Sequence, residues 1–141
     1  MTFLLDTNVV SEWVKPQPNP GVIGWLAEAD EDRLFISVVT LAELRSGVAS
    51  LAAGRRRDRL DAWLSHDLPT RFEGRVLPVD TAVADNWGRI TATAKATGRT
   101  IHAMDAFLAA TAHVHQLTLV TRDVSDFRSA GAPVLCPWLD G

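Results

Sequence analysis

Short apolar runs alternate along this chain with segments whose apolar residues recur at helical spacing. Phe3 to Leu5 reads as a short buried strand. Helical segments follow at 8–14 and 20–31, joined by a loop of Pro16, Pro18, Pro20 and Gly21 that is too brief to divide domains. Leu34 to Val38 reads as a second strand. A helix is predicted from near Thr40 to about Ala52 and another over 55–66. Arg75 to Val79 reads as a third strand, ended by Pro78 and Asp80. From Thr81 the spacing is clearly helical, with Val83, Trp87, Ile90 and Ala94 on one face and Gly98 as the C-cap. Ala103 to His115 forms a further helix, apolar nearly all round and so buried on most sides. Leu117 to Val120 is a strand, and Val134 to Cys136 a last edge strand. Strands alternating with helices predict an α/β domain: a central, mostly parallel sheet of four to five short strands covered by helices on both faces.

That architecture gives the acidic residues a meaning. Asp6 directly follows Phe-Leu-Leu, and Glu43 lies in the first turns of the helix after the second strand. Asp105 opens the helix that leads into the fourth strand, and Asp123 and Asp126 follow that strand. Sites in open α/β sheets form outside the carboxyl ends of the strands, so these acids are predicted to converge on one sheet edge. A carboxylate in apolar surroundings needs something to offset its desolvation. Several together point to a shared counter-ion, and hard oxygen donors select Mg²⁺ or Mn²⁺ over zinc.

Each acid also has a plainer reading. Asp6 suits the N-cap of the helix behind it. Thr40 and Glu43 have the spacing of a capping box. Asp123 suits a turn and Asp126 a cap. Asn8 stands where it could orient the Asp6 carboxylate or hold a metal-bound water, and Thr121 where its hydroxyl could serve a carboxylate or such a water. The pair His102 and Asp105 in an apolar helix makes Asp105 the hardest to read as structure alone. The remaining chemistry is sparse. The histidines lack ligand spacing for zinc, there is no glycine-rich phosphate loop, and no serine or cysteine has nucleophile-elbow context. The five tryptophans read as core and interface anchors.

Length and composition narrow the classes. At 141 residues and 47% hydrophobic content, the chain is predicted to be one domain, 1–141, with a real core. No apolar run approaches a membrane span. The start, Met-Thr-Phe-Leu-Leu-Asp, lacks the charged n-region of a signal peptide. The single Cys136 fits a reducing cytoplasm. Net charge is −3, but setting aside the five site acids leaves +2. Of the 14 basic residues, 12 are arginine, the side chain suited to bidentate phosphate contacts. Arg55, Arg56, Arg57 and Arg59 form the one dense cluster, either a solvated face or a phosphate-tracking patch. Arg122, beside the last acids, is a second phosphate candidate.

The motifs DTNVVSE, LAELRSG, MDAFLAATA and TRDVSDF, in this order and spacing, resemble the PIN-domain toxins of bacterial VapBC and FitAB toxin–antitoxin pairs. The resemblance runs from Phe3 to about Trp138 and takes in PVDTAVADNWGRI and the LCPW ending. It implies a PIN-like three-layer α/β/α fold and a Mg²⁺-dependent endoribonuclease, with Mn²⁺ able to substitute, acting on tRNA or other structured RNA. It implies that Asp6, Glu43 and Asp105 are metal-site acids and that Asp123 and Asp126 complete the set, either of the two being the direct ligand; Asp6, Asp105 and Asp123 are taken as the metal ligands and Asp126 as their support. Relatives often carry Asn where this chain has Asp123, and Pro where it has Thr100. A homodimer and an antitoxin whose tail blocks the acids are also implied, in the cytoplasm and away from any membrane. Two rivals of the same architecture are a catalytically silent PIN-like interaction module and a DNA-directed metal nuclease. A receiver domain would need a lysine late in the chain, and the lysines are Lys15 and Lys95.

Overall fold

The computed structural model describes residues 1–139. Five strands, β1 (Phe3–Leu5), β2 (Leu34–Ser37), β3 (Val76–Leu77), β4 (Thr118–Val120) and β5 (Val134–Leu135), form one sheet in the order β3-β2-β1-β4-β5. Every pairing is parallel, with Phe3 opposite Leu34 on one side and Thr118 on the other. Helices α1 (Thr7–Glu12), α2 (Pro20–Glu28), α3 (Val38–Ala49), α4 (Arg55–Ala62), α5 (Leu68–Arg71), α6 (Thr81–Ala96), α7 (Ala103–His115) and α8 (Val124–Ser129) connect them. No helix among the described residues is long and apolar enough to cross a membrane.

Successive strand residues point to opposite faces, and the sheet therefore has two cores. Leu5, Leu34, Ile36 and Val120 pack with Val9, Val22, Leu44 and Phe72 on one face. Leu4 and Leu119 pack with Leu108, Ala109, Ala112 and Phe127 on the other. The result is the three-layer α/β/α sandwich that the hydrophobic spacing predicts.

The strand order fixes where a site can form. The chain winds outward from β1 to β2 and β3, then crosses back to β4 and β5 on the far side of β1. Winding reverses between β1 and β4, and the loops leaving these two strands diverge, opening a crevice at their carboxyl ends. Asp6 leaves β1 there, and Thr121 and Asp123 leave β4.

Several boundaries differ from expectation. The helix predicted from Thr40 starts at Val38, because the Ser37 hydroxyl caps the Val39 amide at 3.0 Å. The Thr40–Glu43 capping box is therefore not formed. The helix predicted over 55–66 continues to Arg71 through a π turn at Trp63–Asp67. Pro69 lacks an amide and crowds the preceding carbonyls, and a widened turn just before it relieves that conflict. The third strand shrinks to Val76–Leu77, since Pro78 and the exposed Val79 leave the ladder. At the end of α6, Gly98 has φ 71°, and the amides of Gly98 and Arg99 return to Lys95 O and Ala94 O. This is the left-handed closure that glycine favours.

The C-terminal segment is clasped against α2. Asn19 Oδ1 caps the Gly21 and Val22 amides and also accepts from Leu139 N at 3.2 Å, while its Nδ2 donates to Leu139 O at 3.1 Å. The Gly21 Cα lies so close to this strap that an added Cβ would meet Pro137 O at 2.4 Å.

Candidate functional site

Asp6 joins the two strands of the switch point. Its amide donates to Val120 O at 2.9 Å. Its Oδ1 accepts the Thr7 amide at 2.7 Å, so it does cap α1. Its Oδ2 accepts the Thr121 hydroxyl at 2.7 Å across the mouth of the crevice. The side chain is buried. Burial pushes its pKa up to about 6; the Thr121 and Thr7 donors oppose this, and the charges of Asp105 and Glu43 add to it.

Glu43 comes from the second turn of α3, where the early start at Val38 turns it toward α1. Its Oε1 accepts the Thr7 hydroxyl at 2.7 Å, and the Thr7 and Thr40 hydroxyls lie 3.2 Å apart. Asp105 sits in the first turn of α7, half-buried. Burial raises its pKa, the His102 imidazole works the other way, and Glu43, Asp123 and Asp126 raise it further. All five predicted acids therefore share one electrostatic neighbourhood.

Asp123 occupies the N-cap position of α8 without capping it, and Asp126 lies in the first turn, so Asp126 is not the cap that the spacing allowed. The Asp123 amide donates to Thr121 Oγ1 at 2.9 Å, and Asn8 Nδ2 donates to Asp123 Oδ2 at 3.3 Å. Asn8 thus orients Asp123, where the sequence placed it beside Asp6. Thr121 does serve a carboxylate, that of Asp6. Asn8 Oδ1 is buried with no hydrogen-bond partner among the described residues.

The donor set suits a hard divalent cation in kind: carboxylate oxygens on four segments and the buried, orphaned amide oxygen of Asn8. Among the described residues, no three acidic, imidazole or thiol groups stand in ready ligand spacing. Like charges hold themselves apart in a half-buried cleft, so the fit rests on donor chemistry and convergence.

The arginines divide. Arg122 follows Thr121 directly and is exposed, its guanidinium 5.8 Å from the centre of the Trp138 ring. Arg55, Arg56 and Arg57 open α4, beyond the end of α3 that is remote from Ser37. A helix of that length carries the chain about 18 Å from the strand edge, so these three do not join the acids.

Three participants escaped the sequence reading. Thr7 and Thr40 supply the hydroxyls around Glu43, and no local spacing marks them. Glu12 did carry a signal, since it lies three residues after buried Val9 on the same helical face. It is 1% exposed. Burial pushes its pKa up, but the Lys15 ammonium, the Asn19 amide at 2.8 Å and the more distant Arg122 bring it below the ordinary value.

Comparison with known proteins agrees with this fold. The PIN domain family matches residues 3–132. Toxin FitB of Neisseria gonorrhoeae is 43% identical over 138 residues, covering 98% of this chain and 99% of the relative. A VapC ribonuclease of Sinorhizobium fredii is 38% identical, covering 96% and 97%. The solved structure of FitAcB from Neisseria gonorrhoeae superposes with TM-score 0.92 at 42% identity, covering 97% of this chain and 99% of that one. FitAB bound to a DNA fragment gives TM-score 0.92 at 39% identity, covering 99% and 98%. The chain belongs to the PIN domain family.

Proposed function

We propose that this PIN-domain chain is the toxin of a bacterial toxin–antitoxin pair and a Mg²⁺- or Mn²⁺-dependent endoribonuclease that hydrolyses phosphodiester bonds in tRNA or other structured RNA. The observation that carries the reading is the gathering of Asp6, Glu43, Asp105, Asp123 and Asp126 at the β1/β4 switch point, with Asp6 raised to about 6 by burial and by its acidic neighbours. A relative named as a toxin and another named as a ribonuclease support it across nearly their whole lengths.

Asp6, Asp105 and Asp123 would hold the cation. When bound, it would supply Lewis acidity to the phosphoryl oxygen and acidity to an attacking water. The chain's own groups do the rest. Thr121 fixes the Asp6 carboxylate and Asn8 the Asp123 carboxylate, so the donors need little reorganisation. Glu43, oriented by the Thr7 hydroxyl, receives the water's proton. Asp126 supports the site from the first turn of α8, and Arg122 meets a substrate phosphate at the rim. The same reading carries a homodimer, an antitoxin that covers the acids, and action in the cytoplasm where the RNA is.

The test is cleavage of total tRNA by the purified, partner-free chain in Mg²⁺ or Mn²⁺, beside EDTA and Asp105→Asn controls and a single-stranded DNA substrate. Metal-dependent RNA cutting, lost in both controls, is the expected result. Cutting of DNA alone would move the assignment to a DNA nuclease. A folded chain that cuts neither and binds no Mn²⁺ would be a silent interaction module.

A further inference from the structure

A cleft of about 510 Å³ opens between α6, the loop 97–102, α7 and α8. At one end stand Asp105 and Asp126 of the acidic site. Along the rest, the charged groups are of the other kind, Arg89 and Arg99, set beside the imidazoles of His102 and His113 and the apolar Ile90 and Ile101. The two arginines differ. Arg89 Nε lies 3.0 Å from Asp85 Oδ2 in a well-exposed pair, so part of its charge is answered. Arg99 is held by neutral groups: Nε donates to Thr97 Oγ1 at 3.0 Å and an Nη donates to Ser129 O at 2.6 Å. Among the described residues it makes no ion pair. The Schellman closure on Gly98 fixes its backbone, and the Ser129 contact fixes its head. A preorganised guanidinium with its charge unanswered is an anion site. Ser129 lies one helical turn beyond Asp126, about 5 Å along α8, so Arg99 stands next to the acids rather than among them.

We infer that this cleft is a nucleotide subsite beside the cleaved bond, in which Arg99 binds the neighbouring phosphate of a single-stranded RNA segment and the Ile90 and Ile101 side chains receive the face of its base. The inference rests on the ribonuclease reading above and names how its substrate is held. Charge complementarity selects the occupant. The acids at one end repel a phosphate unless the cation of the proposed function stands between, and the arginine one turn away attracts one directly, so a strand enters with its scissile linkage at the cation-bearing acids and its next linkage at Arg99. Ile90 and Ile101 stand among polar neighbours that include Asn86, Thr93 and Thr100, which are within the same lining and offer donors and acceptors to a base edge.

Binding of a fluorescent single-stranded RNA oligomer is titrated in Mg²⁺ over a series of KCl concentrations. The full chain carries Asp105→Asn, so that no substrate is consumed, and is compared with the same chain bearing Arg99→Gln, Arg99→Lys or, outside the cleft, Lys95→Gln. Arg99→Gln should weaken binding about tenfold and lower the log–log salt slope by about one unit. Arg99→Lys should keep the slope, and Lys95→Gln should change neither. Unchanged affinity and slope in Arg99→Gln would overturn the inference. So would weaker binding at an unchanged slope with a lower melting temperature, the signature of a brace between the loop and α8. Failure of the Asp105→Asn parent to bind RNA would overturn it as well. Cleavage by the unsubstituted chain, followed in parallel, separates the two claims: Arg99-dependent binding without cleavage leaves the cleft standing and removes the nuclease.

Discussion

Asp6 is held by two donors and still has its pKa at about 6, above the ordinary 3.8, because burial and two acidic neighbours outweigh those donors. The sign for stability follows. A raised carboxylate favours the folded state in its neutral form, so its contribution is whole below 3.8 and is lost as pH rises through about 6. At pH 8 the fold therefore carries the cost of a buried charge, about 3 kcal/mol for a shift of this size. Asp6→Asn should stabilise the protein by up to that amount at pH 8, with the gain shrinking through pH 6 and vanishing near pH 4, as read by urea unfolding at each pH. Equal stability of the two proteins at pH 8 would show that Asp6 is not strained. Thr121 is the opposite case. Its hydroxyl donates to Asp6 and accepts from the Asp123 amide, so Thr121→Val leaves two groups unsatisfied. A loss of about 1–3 kcal/mol at pH 8 is expected, while Thr121→Ser should stay close to the parent. The acids themselves were legible, because a carboxylate that ends an apolar run is conspicuous in one dimension. Their partners were not. Asn8 orients Asp123 across 115 residues of sequence, and Thr7 reaches Glu43 across 36.

At the scale of elements, hydrophobic spacing located every strand and most of the helices but missed α8 at Val124–Ser129, and caps decided the boundaries. Ser37 competes with Thr40 as the cap of α3 and wins because the strand ends there with Ser37 fully buried, its hydroxyl free to turn back onto Val39. Two residues of difference move Glu43 from a capping role into the site. The π turn before Pro69 is a second case, since one wide turn absorbs the proline and carries the helix past the predicted end at 66. The clasp of the C-terminal segment was invisible, for Gly21 looked like loop punctuation and instead marks a close approach. An added methyl group there meets a backbone carbonyl, which cannot swing away as a side chain would. Gly21→Ala should cost about 1–3 kcal/mol and loosen the strap that carries Trp138 against Arg122. A fall in melting temperature together with a change in tryptophan emission checks this, and full native stability of the variant would show that the strap shifts freely.

For the whole molecule, the arrangement of the sheet turns separate motifs into one site. Strand order was not readable from spacing, yet it decides the outcome. Had β4 lain outside β2 instead of against β1, Thr121 could not reach Asp6 and the acids would lie on separated loops. With β4 against β1, the crevice of the switch point collects mutually repelling carboxylates in a half-buried place, and the fold bears that repulsion until something positive enters. Cation binding should therefore stabilise the whole domain. At a concentration one hundredfold above its dissociation constant, a ligand that binds only the folded state adds about 2.7 kcal/mol. For a chain of this length that raises the melting temperature by roughly 8 °C. Mn²⁺ or Mg²⁺ should produce such a rise in the unsubstituted chain at pH 8, and little or none in Asp6→Asn or Asp105→Asn. The rise should fade as pH drops through about 6, because under the proposed function a cation at Asp6 must displace the proton that the carboxyl carries below that value. Differential scanning fluorimetry with and without the cation, at pH 8 and pH 5, reads both effects together. An equal rise in the parent and both variants would place the cation elsewhere on the molecule and detach the acids from it.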